Sequence, residues 1–262
     1  MTAPLVAVPA AVLVLRASGA TTPGALVINS STPLWYTTRA TGLVALVLLT
    51  ASMALGLLSS VRYQRADWPR FVTAGLHRNA SLLALAFTAI HVATTLADSY
   101  APVHVQDVVI PFISAYRPLW LGLGAIAFDL MLALTVTSLV RTRMSYRSWR
   151  LVHWSSYLCW PVAVLHGLGT GSDTPVRWVL GLTVACVALI AALTAWRLGY
   201  GWPSHAAARL LGALALLLTL IAGGAWLTAG PLQPGWARRA GTPSQLINGG
   251  VPANSRPAGG PR

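Results

Sequence analysis

The feature that most constrains this chain is a series of long apolar stretches. Six of them are long enough to cross the ~30 Å hydrocarbon core of a bilayer as helices. They lie at residues 34–61, 71–97, 118–140, 151–169, 176–198 and 207–229. Hydrophobic residues make up 55% of the 262 positions and charged residues only 9%, which excludes an ordinary soluble domain. The sequence therefore predicts an all-α, polytopic membrane bundle of about six transmembrane helices, surrounded by lipid.

The predicted organisation has four parts. Residues 1–33 form an N-terminal segment whose short apolar run lacks a basic start, so it is a poor signal peptide and could be a degenerate span, an interfacial segment or a wrongly assigned start. Residues 34–198 form the main transmembrane domain, and residues 199–229 add one transmembrane helix. Residues 230–262 are rich in Pro, Gly and Arg, which predicts a disordered tail.

The charged residues indicate topology rather than a nucleic-acid partner. All 18 basic residues are arginines, against 5 acidic residues, and the arginines cluster in short loops between apolar stretches. Because basic loops stay in the cytoplasm, the loops at 62–70 and 141–150 should be cytoplasmic and those at 98–117 and 173–177 external. The expected location is the inner or plasma membrane, with both termini outside. The arginines of the tail break this rule, and the tail would be cytoplasmic if the last helix did not cross.

Four histidines fall as two pairs on two of the predicted helices. His77 and His91 lie on one, His153 and His166 on the other, and the members of each pair are roughly 20 Å apart along the axis. One antiparallel helix separates the two, so they run in the same direction, and His77 should face His153 at the inner level while His91 faces His166 at the outer level. Imidazole is a common haem ligand, and an unpaired histidine is costly in lipid. The pattern predicts two stacked, bis-histidine haems that favour electron transfer.

The two helices differ in how well the angle between their histidines, measured around the helix axis, fits this arrangement. At ~100° per residue, fourteen positions return His91 to within about 40° of His77, whereas thirteen positions leave His166 about 140° from His153. We hypothesise that Pro161, which lies between the latter two, helps to reorient them. A single membrane histidine is often a hydrogen-bonded bundle residue, but matched pairs at matched depths favour ligation. There is no CxxCH site, so the haem would not be covalently attached.

These two segments resemble a known superfamily. HRNASLLALAFTAIH at 77–91 and HWSSYLCWPVAVLH at 153–166 are similar to the paired-histidine helices of the ferric reductase and NADPH oxidase transmembrane domains, and the resemblance covers residues 34–198. It implies two haem b groups and electron flow from the cytoplasm to an external acceptor such as a metal ion, oxygen or a redox protein. The flavin and NADPH domains of full-length members are not present here. The resemblance therefore implies a separate electron donor, either a quinol or a flavoprotein.

Two other functions remain open. One is a quinol-linked cytochrome b subunit or membrane anchor of a respiratory oxidoreductase, which a quinone pocket near a haem edge would favour. The other is a haem-free transporter or scaffold, although the sequence shows no inverted repeats or broken helices in matching halves.

Several polar residues within the apolar stretches have two interpretations each. For Asp129, a protonated side chain hydrogen-bonded within the bundle is favoured over a proton-transfer or haem-environment role. Arg39 could reach the headgroups or neutralise a propionate of the outer haem, and Arg78 and Arg150 could do the same for the inner haem.

Overall fold

The computed structural model describes residues 33–60, 69–200 and 205–247. The predictions for residues 1–32, for the loop arginines Arg62 and Arg65, and for the tail from 248 to 262 lie outside the described residues.

The described part of the chain is built from helices. They are α1 (Pro33–Ser60), α2 (Arg70–Ala97), α3 (Val105–Val109), α4 (Pro118–Leu139), α5 (Tyr146–Trp154), α6 (Ser156–Thr170), α7 (Arg177–Gly199), α8 (Ala206–Ala229), α9 (Trp236–Arg239) and α10 (Ser244–Ile247), with a 3₁₀ turn at Arg141–Arg143. The prediction of an all-α fold is confirmed for these residues.

Five of these helices, α1, α2, α4, α7 and α8, are long and apolar enough to cross a membrane. The predicted span at residues 151–169 is divided into α5 and α6 at Ser155, whose N–H donates to the carbonyl of Val152 three residues earlier at 2.9 Å. The protein is therefore a multi-pass membrane protein with a polytopic helical bundle, in which one predicted span is interrupted.

The bundle is organised around two helix pairs. α1 packs along α2, α4 packs along α6, and α1 also contacts α6 and α7. Between α1, α6 and α7 lies an apolar cluster of Ala54, Leu57, Trp160, Val164, Cys186 and Ile190. A second cluster of Ala84, Met131 and Cys159 joins α2, α4 and α6. Both cysteines are buried and unpaired, as expected of small apolar residues.

The residues at one end of the bundle come from distant parts of the sequence. Trp35 at the start of α1 contacts Tyr100 beyond α2, with ring centroids 4.5 Å apart. Arg39 forms an ion pair with Asp173, which follows α6. The two loops predicted to be external, at 98–117 and 173–177, therefore share one end of the bundle.

Part of the predicted tail lies at this same end and is ordered there. Trp236 in α9 contacts Trp120 and Trp226, with centroid distances of 5.5 and 6.1 Å. Its indole N–H donates to the carbonyl of Gly169 at 3.1 Å. Pro231 is fully buried. Disorder was thus the wrong expectation for residues 230–247, because their aromatic and proline side chains find a packing surface that composition alone does not reveal. Arg209, near the start of α8, donates to the carbonyl of Leu198 at the end of α7, whereas Trp226, near the end of α8, contacts Trp120 at the opposite end of the bundle. The helix α8 therefore runs the full depth of the bundle.

Arg117 ties this segment to the bundle. Its side chain is only 4% exposed, and its guanidinium donates to Thr242 Oγ1 at 2.8 Å and to the carbonyls of Gly169 and Thr170 at 3.1 and 2.8 Å. Its backbone N–H donates to Gly241 at 3.0 Å, and its φ of 45° lies in the left-handed region. A residue with a Cβ rarely adopts this conformation, so the hydrogen bonds stabilise it.

Candidate functional site

The four membrane histidines meet as two pairs. The rings of His77 and His153 have centroids 6.2 Å apart with planes at 72°, and those of His91 and His166 have centroids 6.3 Å apart with planes at 82°. Both pairs join α2 to the interrupted helix α5–α6. Since the first histidines meet each other and the second meet each other, the two helices run in the same direction, as the sequence predicts.

This spacing suits a shared metal. When two imidazoles bind the same metal ion from opposite sides, each through a nitrogen at about 2 Å, their ring centroids lie about 6 Å apart. Among the residues that the structure describes, no group of three or more His, Cys, Asp or Glu side chains could hold a metal ion. Two imidazoles alone leave an ion with too few ligands. A porphyrin supplies four nitrogens of its own, so the pairs fit haem better than a bare metal.

Three of the four rings are oriented by backbone carbonyls. Nδ1 of His91 lies 2.7 Å from the carbonyl oxygen of Thr38, and Nδ1 of His77 lies 2.9 Å from that of Ser52. Nδ1 of His166 lies 2.8 Å from the carbonyl oxygen of Trp120. A carbonyl only accepts, so each Nδ1 carries the proton. Nε2 then keeps its lone pair, which is the form of imidazole that binds a metal.

A glycine follows each of these carbonyls by four residues. A Cβ at Gly42 would lie 3.1 Å from the His91 ring, and one at Gly56 would lie 3.5 Å from the His77 ring. At Gly124 it would lie only 2.5 Å from the His166 ring. Residues four apart lie on the same face of a helix, so one turn supplies the carbonyl and the next leaves room for the imidazole.

The α1 and α2 residues of this arrangement repeat with a period of fourteen. The α1 pairs are Thr38 with Gly42 and Ser52 with Gly56, and the α2 pairs are His91 with Thr95 and His77 with Ser81. In α2 the hydroxyls of Ser81 and Thr95 donate to the carbonyls of the histidines four residues earlier at 2.8 and 2.7 Å. The carbonyl acceptors were not identified from the sequence, in which the glycines individually indicate only that helices or haem can pack closely there. The signal that could have found them is the spacing of the glycines in α1, which equals that of the histidines.

His153 is held differently. Its Nδ1 is buried and has no hydrogen-bond partner among the described residues. Instead, its ring stacks on that of Trp149, with centroids 4.8 Å apart and planes at 21°. The guanidinium carbon of Arg141 lies 4.5 Å from the centroid of the Trp149 ring. The inner pair therefore combines one hydrogen-bonded imidazole with one that is held by stacking.

The interruption at Ser155 lies between His153 and His166. Its i to i−3 hydrogen bond is of the 3₁₀ type, in which each residue advances by about 120° instead of about 100°. This extra rotation reduces the mismatch expected for a straight helix. Pro161 lies within α6, six residues further on. Its contribution to the orientation of the two rings stays a prediction.

A cavity opens around the outer pair. Its lining contains His91, His166, Gly42 and Gly124. Arg39 and Asp173, the ion pair at the end of the bundle, also line it. The cavity is mostly apolar between the histidines and ends at this ion pair.

The residues expected at the inner end are less closely associated with the histidines. Arg150 lies over the rings of Tyr146 and Trp154, at 5.7 and 5.4 Å from their centroids, and Arg78 is exposed. Asp129, expected inside the bundle, is exposed on α4 instead.

Comparison with known families gives one match. Residues 41–164 match the family model described as ferric reductase like transmembrane component. This range contains His77, His91 and His153 and ends two residues before His166. No curated protein and no solved structure matches the chain.

Proposed function

We propose that this protein, whose residues 41–164 match the family model of ferric reductase like transmembrane components, carries electrons across its membrane through two bis-histidine haem b groups. His77 and His153 are the proposed ligands of the inner haem, and His91 and His166 those of the outer haem. The observation that carries the proposal is the pair of ring separations, 6.2 and 6.3 Å, at two levels of the same two helices.

The surroundings of the histidines support haem as the ligand. Three rings donate Nδ1–H to backbone carbonyls and keep Nε2 for the iron. Glycines stand where a Cβ would touch these rings. Haem, when bound, would supply one-electron chemistry at its iron, and an iron held by two histidines would favour electron transfer over substrate binding.

The chain's own contribution is position and environment. The two histidines of α2 are fourteen positions apart, which sets the two levels roughly 21 Å apart along the helix. The apolar clusters around Trp160 and Cys159 lie in the same helices and exclude water. Arg39 is the proposed partner of an outer propionate, in competition with Asp173, with which it pairs in the structure.

The direction of transfer is proposed from the distribution of arginines between the loops. The arginine-rich loops favour an inner pair towards the cytoplasm and an outer pair towards the outside of the inner or plasma membrane. The proposed donor is a quinol or a separate flavoprotein, and the acceptor is an extracytoplasmic metal ion, oxygen or redox protein.

A reduced-minus-oxidised difference spectrum of the purified protein, with haem quantified per chain, tests the proposal. The wild type should hold two b haems. His91→Ala and His166→Ala should remove the same spectral component, and His77→Ala and His153→Ala the other. His104→Ala and His205→Ala, in residues outside the spanning helices, serve as matched controls and should retain both components. A colourless wild type from haem-replete cells would contradict the proposal.

A further inference from the structure

Asp129 occupies an unusual place in the bundle. It lies near the middle of α4, eleven residues after its first residue and ten before its last. At 1.5 Å per residue this is roughly 15 Å from either end, the depth of the bilayer centre. Its side chain is exposed and has no hydrogen bond or ion pair with any other residue that the structure describes. A carboxyl group facing hydrocarbon at this depth is expensive, so such residues normally have a polar partner.

The position of Asp129 on α4 is outside the cavity that surrounds the outer histidine pair. The cavity around the outer pair is lined by Phe128 and Met131 of the same helix, and Asp129 is not part of that lining. The residues that share its exposed face are Leu132, Ala133 and Val136, at three, four and seven positions further along. Asp129 is thus the polar residue of an exposed helix face whose other members are apolar.

We infer that this face of α4 is the contact between two copies of the chain within the membrane. Hydrocarbon tolerates a carboxyl group in its neutral acid form, which has one O–H donor and one carbonyl acceptor. Such a group is complementary to itself. Two copies inserted in the same orientation carry it at the same depth, so a two-fold axis along the membrane normal brings the two Asp129 side chains together.

The packing around the carboxyl pair is suited to this contact. Ala133 lies one turn from Asp129 and is exposed, and a small residue at this position lets two helix backbones approach closely. Leu132 and Val136, 43% and 48% exposed, would flank the pair and shield it from lipid. A second copy is favoured over a partner with a basic side chain because its own donor and acceptor satisfy the carboxyl without burying a charge.

The experiment measures the oligomeric state of the full chain in lipid nanodiscs by native mass spectrometry, together with cysteine cross-linking in the membrane. The wild type should be dimeric. Asp129→Asn keeps both a donor and an acceptor and should remain dimeric, whereas Asp129→Leu should be monomeric. Leucine is apolar at a lipid-facing site, so the Asp129→Leu variant should fold, and an unchanged far-UV circular dichroism spectrum checks this.

Cross-linking locates the contact. Leu132→Cys should form a disulfide-linked dimer under mild oxidation. Leu189→Cys is the matched control, because Leu189 is 47% exposed on α7, a different helix, and it should not. A monomeric wild type, an Asp129→Leu variant that stays dimeric, or equal cross-linking at both positions would each overturn the inference. None of these readouts depends on haem, so the outcome is independent of the proposed electron transfer.

Discussion

The imidazole rings of His91 and His166 lie nearly perpendicular to each other, with planes at 82° and centroids 6.3 Å apart. The Nδ1 of each ring faces the carbonyl of a different helix, Thr38 in α1 and Trp120 in α4. The two planes are therefore fixed independently of each other. Each ring is thus held by its own carbonyl in the orientation that keeps the two planes nearly perpendicular.

This geometry predicts the electron paramagnetic resonance spectrum of the oxidised protein. Two imidazoles bound to one iron with perpendicular planes would leave its dxz and dyz orbitals nearly degenerate, so the outer haem should give a highly anisotropic low-spin signal instead of a rhombic one. His166→Ala should remove this signal. A rhombic low-spin spectrum for the outer haem, assigned with the same variant, would show that the rings turn when iron binds.

The facing glycines predict a graded series of alanine variants. An added Cβ would lie 2.5 Å from a histidine ring at Gly124, 3.1 Å at Gly42 and 3.5 Å at Gly56. Overpacking in a filled site typically costs about 1–3 kcal/mol. Gly124→Ala should therefore lose most of the outer haem, Gly42→Ala part of it, and Gly56→Ala little of the inner haem.

Haem content per chain after purification measures this series. Gly181→Ala is the control, because nothing lies within 4 Å of a Cβ at Gly181. It should keep the wild-type content. Equal losses at Gly124 and Gly181 would mean that helix geometry, and not contact with the ring, decides the effect.

The sequence predicts the features that depend on local periodicity. Fourteen residues on a helix return a side chain to nearly the same face, so the alignment of His77 with His91 could be derived without coordinates. The side to which Asp129 points could not, because α4 is apolar on all sides and carries no periodic signal. The order in residues 230–247 was missed for a related reason, since Trp120, Trp226 and Trp236 meet only in the folded chain.

Trp149 is expected to orient the ring of His153, whose Nδ1 has no carbonyl partner among the described residues. Because stacking is the contact that orients this ring, Trp149→Ala should broaden or shift the inner haem component, leave the outer component unchanged, and let the reduced inner haem bind carbon monoxide. Trp149→Phe keeps an aromatic face and should restore most of the wild-type spectrum. Trp154→Ala is the control on the same helix, since Trp154 is 57% exposed. Identical spectra of the Trp149→Ala and Trp154→Ala variants would refute the role.

Arg117 is expected to hold the ordered part of the C-terminal segment in place. Arg117→Ala removes the hydrogen bond from the guanidinium to the buried carbonyl of Gly169 and the one to Thr242 Oγ1. Hydrogen bonds from a charged group contribute about 1.5–3 kcal/mol each. Thermal unfolding in detergent should therefore shift to a clearly lower Tm, and proteolysis should cleave the segment around residues 230–247 first. Arg177→Ala, which removes an exposed arginine at the same end of the bundle, should leave both measurements unchanged. If the two variants unfold at the same temperature, the interaction of Arg117 with the segment does not contribute to its stability.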